Sequence, residues 1–451
     1  MTTHAQNLAP LEPGSRALVL GLGRTGLSVA RFLDRKGLKL RIADTRAEPP
    51  GIAALRGQLR DAEVRTGPFG PALLDDVAQV VISPGLSIRE PVAVEAGRRG
   101  LPVVGDVELF AREVSAPVAA ITGTNGKSTV TALLAELANA AGCAAVAGGN
   151  LGEPALDLLE RPVPGLYVLE LSSFQLETTY SLHAASATVL NVTPDHMDRY
   201  DSVEDYAVAK ARIFDGCEVA VVNADDPVVR GMPRPGQRVL SFSLEDPGAD
   251  YCLGGGAQPS LACRGEPLLP VAAMRLKGMH NVANALAALA MCEALGLPRA
   301  PVLDALATFG GLAHRAQWVA DLSGIHFVND SKGTNVGATV AAVTGMEGPI
   351  VLIAGGDGKG QDFGALAAAF RGKVRHVVLI GRDAPRLAAA LTGVCSTEPA
   401  ADMPSAVRAA RDAARPGDTV LLSPACASLD MYRDYAQRGD DFAASVRSLA
   451  A

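Results

Sequence analysis

Gly126-Lys127-Ser128-Thr129 closes a short glycine-rich turn that opens at Gly123 and follows the apolar run Ala116 to Ile121. A turn of this kind between a buried strand and a helix aims successive backbone N–H groups at one point. The helix adds its unpaired N-terminal donors and the positive end of its dipole. Lys127 supplies a mobile positive charge, and Ser128 a hydroxyl able to ligate magnesium. Gly123, Thr124, Asn125, Gly126, Lys127, Ser128 and Thr129 therefore read as a triphosphate cradle. The general spacing G-x-x-x-x-G-K-[ST] has a glycine five residues before Gly126, where this chain has Ile121.

Three further stretches could complete a phosphoryl-transfer centre. The strand Leu166 to Leu169 ends at Glu170, and a carboxylate at a strand's C-terminal end beside a phosphate loop is well placed to ligate magnesium. The strand Ala187 to Leu190 runs into a loop carrying His196 between Asp195 and Asp198. That loop reads equally as a metal site or a solvated turn, and its position at the same sheet edge tips it toward the site. Gly148 to Gly152, with Asn150, is rich enough in glycine to approach a ligand. Lys210, in a helical pattern from Val203 to Phe214, reads by itself as an exposed helix lysine.

These residues need strands that end together. The chain opens with the strand Ala17 to Leu20, a G-x-G-x-x-G turn from Gly21 to Gly26, a helix from Leu27 to Lys36, and a second strand, Leu38 to Ala43, ending at Asp44-Thr45-Arg46. That is a dinucleotide-type βαβ fingerprint with an acid about 20 residues on. Alone it supports binding of some diphosphate or nucleotide. A strand from Val77 to Ile82 ends at Ser83-Pro84-Gly85, so Gly21, Asp44 and Ser83 are expected to line one crevice. The turn-rich stretch from Pro227 to about Pro270 reads as a small antiparallel excursion. A long Ala/Leu helix follows, in which Asn281 or Asn284 could cap the helix or face a ligand. Beyond Gly311, strands alternate with Ala-rich helices, which implies a parallel sheet with its polar residues gathered at the strand ends.

The 451-residue length predicts two or three domains. A 48% hydrophobic and 20% charged composition is that of a globular chain. The net charge of −7 argues against a nucleic-acid or anionic-membrane surface, and seven scattered cysteines without a C-x-x-C pair suit reduced thiols in the cytoplasm. No signal peptide and no membrane span is expected. The fold class expected is α/β in three domains: a Rossmann-like domain over 1–105, a central P-loop ATPase-type domain with a mostly parallel sheet over 106–311, and a C-terminal Rossmann-like domain over 312–451.

Taken in order, Thr122 to Thr129, Glu170-Leu171-Ser172-Ser173-Phe174-Gln175-Leu176, Asn191 to His196, His280 to Asn284 and His314-Arg315 resemble the signatures of the Mur ligases across essentially the whole chain. That family has its own short phosphate loop, which accounts for Ile121. In the third domain, Asp330 to Asn335 and Ser423 to Asp430 are similar to the branch that adds D-glutamate, and the Asp-Asn-Pro-Arg of the diaminopimelate-adding branch is absent. Two residues depart from the pattern. Gln317 stands where many relatives carry an acid, and Gly333 where alanine is frequent, the latter expected to matter little.

The resemblance implies an ATP- and Mg2+-dependent amide synthesis through an acyl phosphate, on UDP-N-acetylmuramoyl-L-alanine and D-glutamate, by a cytoplasmic monomer. It implies Lys127, Glu170, His196 and Lys210 as the catalytic set. Ser128 and Glu170 would hold one magnesium, and His196 and a carbamylated Lys210 a second. Thr25, Asp44, Thr45, Arg46, Ser83 and Gly85 would take the UDP moiety, with Asn150 and Ser172 on the sugar–peptide portion. Asn284, Arg315 and Asp330 would hold adenine and ribose. Asp195, Thr334, Lys359 and Ser428 would receive D-glutamate. Hinges near Asp106 and Gly311 would let the domains close. Rival readings are a folylpolyglutamate synthase-like ligase, which needs no UDP-binding first domain, and an NAD-dependent oxidoreductase, which leaves Lys127, Glu170 and His196 unexplained. A third is an ATP-binding regulatory protein, which does not account for metal residues after three separate strands.

Overall fold

The computed structural model describes residues 11–449 apart from 198, 256–257, 277 and 347. Asp198 thus lies outside the described residues. Among the described residues, twenty strands form three sheets. The first contains β1 (Arg16–Leu20), β2 (Lys39–Asp44), β3 (Glu63–Thr66), β4 (Gln79–Ile82) and β5 (Val103–Val104), all parallel, in the order β3-β2-β1-β4-β5. The order reverses between β1 and β4, the place where doubly wound sheets open a crevice at their carboxyl ends.

The second sheet contains β6 (Val118–Thr122), β7 (Ala145–Gly149), β8 (Leu166–Glu170), β9 (Ser186–Val189), β10 (Val219–Asn223), β11 (Arg238–Ser243), β12 (Tyr251–Gly254), β13 (Ser260–Cys263) and β14 (Glu266–Pro270), ordered β14-β13-β12-β11-β10-β9-β6-β8-β7. The strands from β12 to β7 are parallel. The expected antiparallel excursion after Pro227 is therefore corrected: β11 and β12 extend the parallel sheet. Their turn-rich connections hid this, because β10 passes to β11 through one helical turn, Pro227–Arg230, rather than a long crossover helix. The third sheet contains β15 (Gln317–Leu322), β16 (Ile325–Asn329), β17 (Ile350–Gly355), β18 (Val374–Ile380), β19 (Ser396–Pro399) and β20 (Thr419–Leu422), ordered β15-β16-β20-β17-β18-β19, with only β15 antiparallel.

The central strands are continuous apolar runs because helices cover both their faces. Every residue of β1 after Arg16, and all of β6, β8 and β17, is buried.

The described residues fall into two compact units. One holds the residues up to Gly254 with Ala262–Glu266 and Leu286–Leu303. The other holds Gly255–Leu261, Pro267–Ala285 and the residues from Asp304 on. The first sheet and strands β6–β12 of the second thus share a unit, and one apolar core runs through both. It contains Val29, Phe32 and Leu33 of the helix Arg24–Arg35 together with Leu156 and Leu158 of the helix Ala155–Leu158. Polar contacts flank it: Ser28 Oγ donates to Asp157 Oδ1 at 2.5 Å, and Arg31 Nη2 to Asp157 Oδ2 at 2.8 Å.

In this structure the segment at Asp106, where a hinge is expected, is tied to the helix Ser173–Leu176 and the loop after it by several hydrogen bonds. Gly105 N donates to Thr178 O at 3.1 Å, and Gln175 Nε2 to Asp106 Oδ2 at 3.1 Å. Glu108 Oε2 accepts from the N–H groups of Tyr180 and Ser181 at 2.7 and 2.9 Å. A Cβ at Gly105 would stand 2.3 Å from Thr178 Oγ1 and would have to displace that hydroxyl.

Candidate active site

Three neighbouring strands of the second sheet, β9, β6 and β8, deliver the cradle, the carboxylate and the histidine loop to one edge. β6 continues through Thr122, and Ile121 is fully buried between Glu170 and Thr188. The glycine of the general spacing would therefore fall inside the strand, and the turn here is confined to Gly123–Gly126. Gly123 has φ +152° and Gly126 φ +85°. A side chain on Gly123 would also press Leu190 N at 3.2 Å.

The turn is held from β9's loop. Thr124 N donates to Asn191 O at 2.9 Å, and the Asn191 amide closes a ring on the backbone N–H and carbonyl of Asn125 at 2.8 and 3.1 Å. Thr124 Oγ1 lies 3.4 Å from Tyr206 Oη. Both lysines bend onto the turn: Lys127 Nζ donates to the carbonyls of Gly123 and Thr124, each at 2.8 Å, and Lys210 Nζ donates to Gly123 O at 2.9 Å.

Beneath the turn, Ser128 Oγ donates to Glu170 Oε2 at 2.6 Å, and Asn150 Nδ2 to Glu170 Oε1 at 2.6 Å. Ser128 and Glu170 are both buried. A hydroxyl and a carboxylate held together at a strand end form a hard oxygen donor set suited to magnesium. Lys210, read alone as an exposed lysine, is only 1% exposed. Burial and the neighbouring Lys127 ammonium push its basicity well below that of an ordinary lysine, with Asp195 and Glu170 opposing. A buried lysine held toward its neutral form is a nucleophile, and so fits carbamate formation. His196 sits at φ +57° and is half exposed, with its ring edge-on to Phe174 at 4.8 Å and Asp195 Oδ2 3.6 Å from its Nε2. No group of three or more His, Cys, Asp or Glu side chains poised for a metal occurs among the described residues.

The first-sheet candidates also converge. Ser83 Oγ donates to Gly21 O at 3.3 Å, and Asp44 Oδ2 accepts from Leu22 N at 2.7 Å. Asp44 is otherwise occupied by Arg46, whose Nε and Nη2 reach its two oxygens at 2.8 and 2.6 Å. Thr45, Arg46 and Gly85 are exposed, and Thr25 is half-buried. Arg46 is the chief cause that holds the Asp44 carboxyl down at about 2. A depressed carboxyl adds stability that is complete above its unfolded value and is lost as pH falls through the folded one. From 3.8 to about 2 the gain is about 2 kcal/mol, reduced toward about 1 because Arg46 is half in solvent. Asp44→Asn is therefore expected to cost about 1–2 kcal/mol in neutral urea titrations, with the difference vanishing near the acid end of that window.

Ser172 is engaged as a helix cap, its Oγ accepting from Gln175 N and its N–H donating to Gln175 Oε1 at 3.2 and 3.1 Å.

In the second unit, three adjacent strands, β16, β20 and β17, bring their ends together. Asp330 Oδ2 accepts from Ser423 Oγ at 2.8 Å, and Asp330 Oδ1 from Ala316 N at 3.2 Å. Burial lifts the Asp330 carboxyl to about 6. Arg315 is half-buried close enough to oppose that rise. Gln317 Oε1 accepts from His314 N at 3.1 Å, so the amide holds the turn that carries Arg315. A Cβ at Gly333 would stand 2.7 Å from the side-chain oxygens Asp330 Oδ2 and Ser423 Oγ, which would have to shift to admit an alanine. Paired backbone bonds of 2.9 Å between Asp357 and Ala427 draw the loops of exposed Lys359 and buried Ser428 together. Thr334 lies half-buried in the turn after Asp330, and buried Asn284 donates to Asn281 Oδ1 at 3.1 Å.

Sequence reading missed Arg438. It is 1% exposed and donates to Ser331 O at 2.9 Å, Ser331 Oγ at 3.0 Å, Cys426 O at 3.1 Å and Gly355 O at 3.4 Å, tying the loops after β16, β20 and β17. The signal was a charge four residues before Phe442 and eight before Val446, on the apolar stripe of the helix Tyr435–Ser448. Tyr206 was also left out, and Asn191, read only as the start of the Asn191–His196 motif, braces the cradle.

Comparison with known proteins places this geometry among relatives. Three family models match: the Mur ligase MurD-like N-terminal domain over residues 15–105, the Mur ligase middle domain over 121–292, and the Mur ligase glutamate ligase domain over 314–426. The chain is 52% identical over 446 residues to the UDP-N-acetylmuramoylalanine–D-glutamate ligase of Nitrosococcus oceani, covering 98% of each. It is 48% identical to the enzyme of the same name from Pseudomonas aeruginosa, over 96% of this chain and 98% of that one. Among solved structures, it shares its fold with the Thermotoga maritima UDP-N-acetylmuramate–alanine ligase (TM-score 0.59, 20% identity, 96% and 99% coverage). It shares it also with the MurF ligase of the same organism (TM-score 0.60, 15% identity, 96% and 99% coverage).

Proposed function

The chain belongs to the Mur ligase family, and on that premise we propose that it joins D-glutamate to UDP-N-acetylmuramoyl-L-alanine with ATP, in peptidoglycan precursor synthesis. The observation that carries the reaction class is the setting of the cradle: Lys127 and Lys210 converge on the Gly123 carbonyl above a buried Ser128–Glu170 pair. The substrates rest on relatives matched over nearly their full length. The match of the first domain to a MurD-like N-terminal model does not favour the oxidoreductase or folate readings. The domain boundaries we propose are 1–105, 106–311 and 312–451.

Each residue then has work set by the reaction. The L-alanyl carboxylate oxygen bonds to the γ-phosphorus as the bond to the ADP oxygen breaks. The D-glutamate amine next attacks the acyl carbon, phosphate leaves, and the amine gives up a proton. The attacking carboxylate and the triphosphate are both anionic, so cations must stand between them. Lys127 and the N–H groups of Gly123–Thr129 bind the phosphates. Asn284, Arg315 and Asp330 hold the nucleoside. Thr25, Asp44, Thr45, Arg46, Ser83 and Gly85 bind the UDP moiety, in which Arg46 brings the charge and Asp44 holds Arg46 and the Leu22 turn. Asn150 and Ser172 face the sugar–peptide portion. Thr334, Lys359 and Ser428 bind the carboxylates of D-glutamate, and Asp195 orients its amine. Magnesium, when bound, neutralises phosphate charge, with Ser128 and Glu170 holding one ion and His196 and carbamylated Lys210 a second. Lys210 gains its carbamate when its neutral amine adds to carbon dioxide and loses a proton. We place the enzyme in the cytoplasm as a monomer; no helix among the described residues is long and apolar enough to cross a membrane.

Phosphate release with ATP, UDP-N-acetylmuramoyl-L-alanine and a panel of amino acids tests this. Release is expected with D-glutamate and not with L-glutamate or the diamino acids. Release that needs folate and L-glutamate, or none with any acceptor, sinks the reading.

A further inference from the structure

Asp106 is 2% exposed at the start of the helix Asp106–Ala111, and no step above uses it. Its Oδ2 accepts from Gln175 Nε2 at 3.1 Å. The other end of the same amide, Gln175 Oε1, accepts from Ser172 N at 3.1 Å and lies 3.3 Å from Ser172 Oγ. Ser172 stands two residues beyond Glu170, where the chain leaves β8.

A glutamine amide has two ends of nearly equal shape and opposite polarity. Turned over, Gln175 would set its NH2 group against the Ser172 N–H, donor facing donor, and the cap on the helix Ser173–Leu176 would lose one of its two bonds. A carboxylate only accepts. Opposite Gln175 it admits one orientation of the amide, the one that serves Ser172. Glu108, two residues on, makes a different attachment: it holds Tyr180 and Ser181 in the loop beyond the helix.

We propose that Asp106 is a positioning residue for the ligation, locking the Gln175 amide so that Ser172 and the turn after Glu170 are presented to the uridine-linked substrate. This rests on the assignment of Ser172 to the sugar–peptide portion made above.

The test reverses the polarity of the pair in the full-length protein. Gln175→Glu sets acceptor against acceptor. Adding Asp106→Asn restores a donor, since the new amide can donate to the new carboxylate, whose other oxygen still accepts from Ser172. KM is measured for all three substrates, with thermal midpoints alongside. Q175E is expected to raise KM for UDP-N-acetylmuramoyl-L-alanine about tenfold, with KM for ATP and D-glutamate within about twofold. The double variant is expected to return most of that loss. Ser181→Ala, which breaks a Glu108 contact only, is expected to lower the thermal midpoint without moving any KM. A double variant no better than Q175E alone overturns the proposal, as does a Q175E defect shared equally by all three substrates. If the unaltered protein releases no phosphate, the proposed function fails instead, so the two failures are distinguishable.

Discussion

Lys210→Met is expected to cut D-glutamate-dependent phosphate release about a thousandfold or more while the fold persists. The side chain is only 1% exposed, and methionine fills similar volume without a group that needs solvation. The turn keeps a donor on Gly123 O, because Lys127 Nζ also bonds it at 2.8 Å. Stability should therefore hold or rise. What methionine cannot provide is a nitrogen on which carbon dioxide can build an oxygen ligand. The measurement is single-turnover phosphate release beside a thermal melt. Stripping bicarbonate and carbon dioxide from the unaltered protein should lower its activity, and bicarbonate should restore it. Full activity in the methionine variant would exclude the carbamate and leave Lys210 a packing residue.

Arg438→Met is expected to cost about 3 kcal/mol or more of stability in the unit that carries the third sheet. Four oxygens accept from this one guanidinium, and methionine would leave them buried without donors. A lost partner costs about 1–3 kcal/mol per buried group, and removing a charge that burial has pulled down to about 10 returns part of that. Because the three tied loops carry Asp330, Lys359 and Ser428 or their neighbours, D-glutamate-dependent turnover should fall at least about tenfold. Arg438→Lys should recover little, since an ammonium on a flexible stem cannot reproduce a planar fork. Urea unfolding followed at the single Trp318 reads the stability directly. A cost below about 0.5 kcal/mol would show that water takes over the four oxygens.

Much of the architecture was legible because parallel sheets write plainly. Apolar runs of four to six residues ending in glycine, acid or serine marked β1, β6, β8, β16, β17 and β20, and the cradle, Glu170 and Asp330 were found at their ends. Three features escaped. The parallel pairing of β11 and β12 was hidden because β10 and β11 are joined by a single helical turn, where a crossover usually leaves a long helical pattern. The environment of Lys210 was unreadable because the helix Val203–Ala211 mixes Tyr206, Ala207, Ala209 and Lys210 among its buried positions and shows no clean stripe. Arg438 stood on such a stripe, yet its partners are three backbone carbonyls and a serine more than ten residues away in the chain, and backbone oxygens leave no trace in residue identity.

The apolar core that passes from the first sheet into the second sets a limit on modular exchange. A domain joined by a bare linker can be swapped as a cassette, bringing its own ligand preference with it. Here the graft would also have to match Val29, Phe32 and Leu33 against Leu156 and Leu158, and Ser28 and Arg31 against Asp157. Chimeras that change the nucleotide-sugar preference of this enzyme should therefore be cut on the far side of the helix Ala155–Leu158, or carry that helix with them.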